Sequence, residues 1–209
     1  MKKIWKSTIA AAIICAMALA LAGCRGGNSG NSGSGSDSGS KTASAGEVID
    51  NGAFSATCPS GFRNIVQTDV FGEKDADGNY PVSQKLLMFS YGAKNDYDAF
   101  SKPSVNIYLL DEGNTADGTI SSFSYFYDEV EETTFNVNGE EIKGVKVKSE
   151  MSDGDVYNYD IGFIEKDGRL FQISVVTAAT DYEDGTGLSM ECDEVQAICD
   201  SIAVTAEAE

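Results

Sequence analysis

Val130-Glu-Glu-Thr-Thr-Phe-Asn-Val137, Asn138-Gly139 and Glu141-Ile-Lys-Gly-Val-Lys-Val-Lys148 are the residues whose reading decides the fold. Apolar and polar side chains alternate on both sides of an Asn-Gly pair, the pattern of two strands joined by a type I′ turn. The next segment continues in the same way. Val156 to Glu165 sets Tyr157, Tyr159, Ile161 and Phe163 on one face, Asp167-Gly168 turns the chain, and Leu170 to Thr177 brings Phe171, Ile173 and Val175 inward. Four strands in a row, each within hairpin reach of the next, predict an antiparallel meander.

Upstream, Ala53 to Cys58 alternates and reads as a first strand, broken by Pro59-Ser60-Gly61. Phe62 to Phe71 reads as a second extended segment, and Glu73 to Asn79 as a polar turn. Gln84 to Tyr91 is apolar on both sides, as in a central strand, and Ser104 to Leu110 alternates again. The period changes between Thr119 and Asp128, where Ile120, Phe123 and Tyr127 mark one face of a short helix capped by Asp117 or Thr119. At the end, Leu188, Cys192, Val195, Cys199 and Ile202 form the apolar stripe of a C-terminal helix, with Glu191, Asp193 and Glu194 at its start, where the helix dipole favours acids. The expected class is α+β: a largely antiparallel β-sheet with a short middle helix and a C-terminal helix packed on it.

The 209 residues divide by composition. Lys2, Lys3 and Lys6 precede an apolar run from Ile9 to Ala22, the layout of a secretory leader and too short a run to span a bilayer comfortably. Arg25 to Ala45 is nearly all Gly, Ser and Asn, a flexible tether unable to bury a core. Residues 46–205 then form one domain of ordinary size, small for a two-lobed solute receptor, and 206–209 are a short tail.

Charge and composition exclude several functions. The chain has 15 Lys+Arg against 33 Asp+Glu, so removing the three leader lysines takes the net charge from −18 to −21. That charge repels nucleic acid and anionic head groups. There is no His, which removes Ser-His-Asp and Cys-His catalysis and His-containing zinc sites. The only Trp, Trp5, lies in the leader. No cofactor is implied, and any small-molecule ligand is left open.

Leu21-Ala22-Gly23-Cys24 resembles the lipobox of bacterial lipoproteins. The resemblance implies a signal peptide over 1–23, diacylglycerol on the thiol of Cys24, and a new N-terminus at that residue, with a second acyl site on its amine making the anchor firm. It places the protein at the extracytoplasmic face of a bacterial cell membrane, held there by the N-terminal lipid, with residues 24–45 as the linker.

The domain resembles the PsbP-like family. The residues that carry this are Phe54-Ser-Ala-Thr-Cys-Pro59-Ser-Gly61-Phe62, Ile120-Ser-Ser-Phe-Ser124, Val137-Asn-Gly-Glu140 with Gly144-Val-Lys-Val147, Phe163 through Ser174, and Ile198-Cys-Asp-Ser201-Ile202. Phe62 stands where the family usually has Trp, and the 72–102 region is longer than usual. The resemblance implies a non-catalytic binding or accessory module with a protein partner in the envelope, and it supplies no catalytic residue.

Weaker constellations are read as structure. Asp75-Ala-Asp77-Gly78-Asn79 begins like a calcium loop but has Tyr80 and Leu86 where an EF-hand needs Gly and Glu, so it is read as a solvated turn. Asp153-Gly154-Asp155 and Asp181 to Asp184 are read the same way, and Gly185-Thr186-Gly187 as a helix entry. Tyr125, Phe126, Tyr157 and Tyr159 are core and rim aromatics. Cys192 and Cys199 fall about 10.5 Å apart along a helix, past the roughly 7 Å reach of a disulfide. Cys58 can therefore bond Cys199 or Cys192, but not both, and the alternative is three buried thiols. A surface hydrolase or metal-binding protein using Asp and Glu is the competing function.

Overall fold

The computed structural model describes residues 46–99, 101–127, 129–150, 154–183, 185 and 187–205. The leader 1–23, Cys24, the linker 24–45 and the tail 206–209 lie outside the described residues, as do Asp153, Asp184 and Thr186.

Seven strands build one antiparallel sheet in the order β3-β4-β5-β9-β8-β7-β6. They are β3 (Phe62–Ile65), β4 (Leu86–Tyr91), β5 (Ser104–Leu109), β6 (Glu129–Val137), β7 (Glu140–Glu150), β8 (Val156–Lys166) and β9 (Arg169–Ala178). A second sheet of three strands has β2 (Phe54–Cys58) between β1 (Glu47–Asp50) and β10 (Ala203–Val204). The helices are α1 (Asp96–Ala99), α2 (Ala116–Phe123), α3 (Ala179–Glu183) and α4 (Asp193–Ser201). The class is α+β, as the alternation predicts.

Both meander turns form where expected. Asn138 and Gly139 have φ of 54° and 86°, and Asp167 and Gly168 have 50° and 73°, the paired positive values of a I′ turn. They fix the register of Val137 opposite Glu140 and of Lys166 opposite Arg169. From that register each side chain falls on a known face. Phe171, Ile173 and Val175 share one face with Val105, Ile107, Leu109, Leu87 and Phe89. This is the main core, closed by Phe54, Ala56 and Cys58 of β2 and by Val195, Ile198 and Cys199 of α4.

The opposite face is covered as well, which the alternation does not reveal. Gln172, Ser174 and Val176 point away from the main core, and all three are buried. By register, Val145, Val147, Tyr159, Ile161 and Phe163 lie on this second face, and all are buried. Ile120 and Phe123 of α2 are buried too, and the rings of Phe123, Tyr127 and Tyr159 follow one another at 6.1 and 6.4 Å.

Several sequence expectations need correction. Helix α2 begins at Ala116, and the cap is Thr115, whose hydroxyl accepts from the Gly118 N–H at 3.1 Å. Asp117 pairs instead with Lys143 of β7 at 2.6 Å, and Tyr127 lies beyond the helix. The extended segment expected to reach Phe71 leaves the sheet after Ile65. Ile65 lies opposite Met88 and Thr68 opposite Val82, so three extra residues accumulate on the second strand. The arm beyond that bulge has no covering layer, and Val66, Val70 and Phe71 are exposed. Leu188 and Ile202 flank α4 rather than belonging to it, yet both are buried.

Candidate functional site

One cluster combines a buried charge with an open cleft. Asp160 of β8 points to the main-core side of the sheet but lies past the end of the apolar filling, with only 3% of its surface exposed. Its neighbour across β7 is Lys146, and the neighbour of Lys146 across β6 is Glu131, so three charged residues form a row over three strands. Helix α3 adds Tyr182, whose hydroxyl donates to Asp160 Oδ1 at 3.1 Å. The Met190 N–H donates to Oδ2 at 3.0 Å. Burial pushes the Asp160 carboxyl above its ordinary range, against the pull of the Met190 N–H, the Tyr182 hydroxyl and the Lys146 charge. Lys146 is held above its own ordinary value, first by the Tyr182 hydroxyl.

These partners identify the task of Asp160. The stretch from Gly187 to Cys192 crosses the sheet without secondary structure and carries backbone groups that need partners. Asp160 takes the Met190 N–H, and the Thr177 hydroxyl donates to the Leu188 carbonyl at 3.1 Å. A Cβ on Gly187 would lie 2.3 Å from Thr177 Cγ2, so only glycine lets the segment sit this close. Gly144 and Gly162 are opposite each other on β7 and β8 and leave room for the Phe135 ring and the Met190 side chain. The cluster is a latch that fastens the connector, and through it α4, to the sheet. Gly187 of the predicted helix entry is therefore part of this latch, and α4 starts at Asp193.

Beside the latch a cleft of about 540 Å³ is lined by Glu129, Glu131, Lys146, Lys148, Asn158 and Tyr182 among others. Lys148 reaches Glu183 at 3.4 Å. Asp160 Oδ1 and Oδ2 each accept one hydrogen bond, from Tyr182 and Met190, so the buried carboxylate is held as part of the latch beside a cleft of charged and amide side chains.

The other expected residues are dispersed. Asp75 accepts from the backbone of Asp77 at 2.9 Å and of Asn79 at 2.8 Å, the internal bonds of a turn. Among the described residues no three His, Cys, Asp or Glu side chains are grouped to hold a metal ion. Tyr159 is buried, whereas Tyr125 and Phe126 are exposed. Cys58, Cys192 and Cys199 are free thiols, the first and last buried and pushed up to about 11 and about 12 by that burial. Cys192 sits at the N-cap of α4, half-buried, and accepts from the Ser189 N–H at 3.3 Å. Sequence reading misses Asp160, Lys146, Thr177 and Tyr182. An acid in the middle of an apolar strand is the one available signal.

No family model matches this chain, and no curated protein matches it either. Among solved structures it is similar to a protein from Bacteroides thetaiotaomicron, with 13% identity over 78% of this chain and a TM-score of 0.43, spanning about half (49%) of that protein. It is similar to LpqN of Mycobacterium tuberculosis, described as involved in cell envelope biogenesis, with 10% identity over 76% of this chain and 90% of the other and a TM-score of 0.40. Cyanobacterial PsbP from Synechocystis matches with 12% identity, 76% and 92% coverage and a TM-score of 0.35. Likenesses this distant do not transfer an activity, ligand or partner. Among the described residues no helix is long and apolar enough to cross a membrane.

Proposed function

We propose that the protein is a non-catalytic binding or accessory module with a PsbP-like domain, held by lipid on Cys24 at the extracytoplasmic face of a bacterial membrane and working with an envelope protein partner. The observation that carries this reading is the employment of Asp160. Among the described residues it is the buried carboxylate with a raised pKa, the kind of group an acid–base enzyme would use, and its two oxygens accept from Met190 and Tyr182, which ties it to the fold. The Leu21-Ala22-Gly23-Cys24 sequence and the Gly/Ser stretch after it support the anchor and the tether. The absence of His in the whole chain supports a role without imidazole chemistry.

The test is chemical cross-linking in intact host cells, followed by purification of the full chain from detergent-solubilised membranes. A stable, reproducible protein partner is expected. Recovery of the chain alone, together with a large rise in melting temperature on adding calcium or another divalent ion, would favour the metal-dependent alternative.

A further inference from the structure

We infer that the outer edge of β6 binds an extended peptide segment with basic side chains at alternate positions, added antiparallel as an eighth strand. The inference rests on the reading of the domain as a binding module and gives that module a surface and a partner chemistry.

The two-residue turn makes Val137 and Glu140 the closing hydrogen-bonded pair of the β6–β7 hairpin. Counting back by twos, Phe135, Thr133 and Glu131 direct their backbone groups at β7, while Asn136, Thr134, Glu132 and Val130 direct theirs outward. The far end of this edge is occupied. The Asn136 N–H donates to Glu191 Oε1 at 3.4 Å, its carbonyl accepts from Gln196 Nε2 at 3.2 Å, and the Asn138 N–H donates to Gln196 Oε1 at 3.0 Å. Further along, the Thr134 carbonyl accepts only from the adjacent Thr133 hydroxyl at 3.4 Å, and no described residue bonds the outward backbone of Val130 or Glu132. The helix that closes one end of the edge leaves the other end available.

The charge at the open end selects the occupant. Glu129 and Glu131 face the cleft, with Lys148 and Lys146 across from them on β7. Both lysines are shared, Lys146 with Asp160 and Tyr182 and Lys148 with Glu183. Negative charge is thus in excess along the rim, and a lysine or arginine of an added strand, opposite Glu131 and on the same face, meets it directly. The alternate side chains of that strand would lie beside half-buried Val130. A second copy of this chain is the wrong occupant, because antiparallel pairing of β6 with β6 over this stretch sets glutamate opposite glutamate, Glu131 against either itself or Glu129.

The test uses the full chain in detergent and a seven-residue peptide alternating lysine and valine. In the antiparallel arrangement the valine amides face β6 and the lysine amides face solvent. Methylating the valine nitrogens should weaken binding about tenfold or more, while methylating the lysine nitrogens changes it little, at constant charge. Glu131→Gln should weaken binding about threefold to tenfold and Glu132→Gln less, since Glu132 lies on the other face. No measurable binding, or equal binding of the two methylated peptides, overturns the proposal. If the peptide fails while cross-linking still yields a partner, the edge is wrong and the module stands. Peptide binding through the edge without any cellular partner would instead support the edge and count against the envelope role.

Discussion

Two hairpins of the same sheet behave in opposite ways. The β6–β7 hairpin holds one register from Val137 opposite Glu140 to Glu129 opposite Lys148. The β3–β4 hairpin holds its register only from Phe62 opposite Tyr91 to Ile65 opposite Met88, then bulges and leaves the sheet. Both are rich in apolar residues, so hydrophobicity alone does not separate them. The difference lies in what covers them. Phe135, Val137, Val145 and Val147 are buried under layers on either face, while Val66, Val70 and Phe71 have none. An apolar residue specifies a strand only where another layer is there to receive it.

The comparison is most easily broken at glycine. A Cβ at Gly144 would stand 2.3 Å from the Ile161 carbonyl and 2.5 Å from the Phe135 ring, whereas at Gly78, in the arm, it meets nothing within 4 Å. Gly144→Ala should therefore cost about 3 kcal/mol or more in denaturant titration. Gly78→Ala, limited to the strain of its φ of +83°, should cost about 1 kcal/mol. Equal costs would mean that the two hairpins are not packed as differently as described.

Next in size is the latch. Asp160→Ala leaves the Met190 N–H and the Tyr182 hydroxyl without their acceptor and should cost about 2–3 kcal/mol. Hydrogen exchange at the Met190 amide should accelerate more than at Val147. The pH dependence has a definite sign. Because the folded state raises the Asp160 pKa, that state holds its proton more tightly than the unfolded chain does. Its contribution is complete below the ordinary carboxyl value of about 4 and is lost as pH rises through the raised one. Asp160→Asn should flatten stability over that window.

A smaller contrast concerns the thiols. Brief alkylation at pH 8 should modify half-buried Cys192 first, with Cys58 and Cys199 protected by burial and by thiols pushed up to about 11 and about 12. Intact mass before alkylation would also reveal any bridge from Cys58 to Cys199 or Cys192. The smallest effect belongs to the arm's tip. Phe71 is 95% exposed, and Phe71→Ser should change stability by no more than about 0.5 kcal/mol.

These contrasts also explain what could be read in the sequence. The meander was legible because Asn138-Gly139 and Asp167-Gly168 state their own turn geometry and period-2 alternation does the rest. Strand β1 was not, since Glu47-Val-Ile-Asp50 has no local signal and exists through its pairing with β2. The cap at Thr115 escapes the pattern because the apolar stripe of α2 starts at Ile120, a turn later. The latch was invisible for a deeper reason: Asp160, Thr177 and Met190 meet only after the connector has folded back across the sheet.

The claim that the domain works from a membrane is tested most directly by the mass of the chain extracted from host membranes. A polypeptide beginning at Cys24 and carrying diacylglycerol on that residue is the expected result, with Cys24→Ala releasing the protein from the membrane fraction. An unmodified chain, or one beginning elsewhere and recovered as well in the soluble fraction, would contradict it.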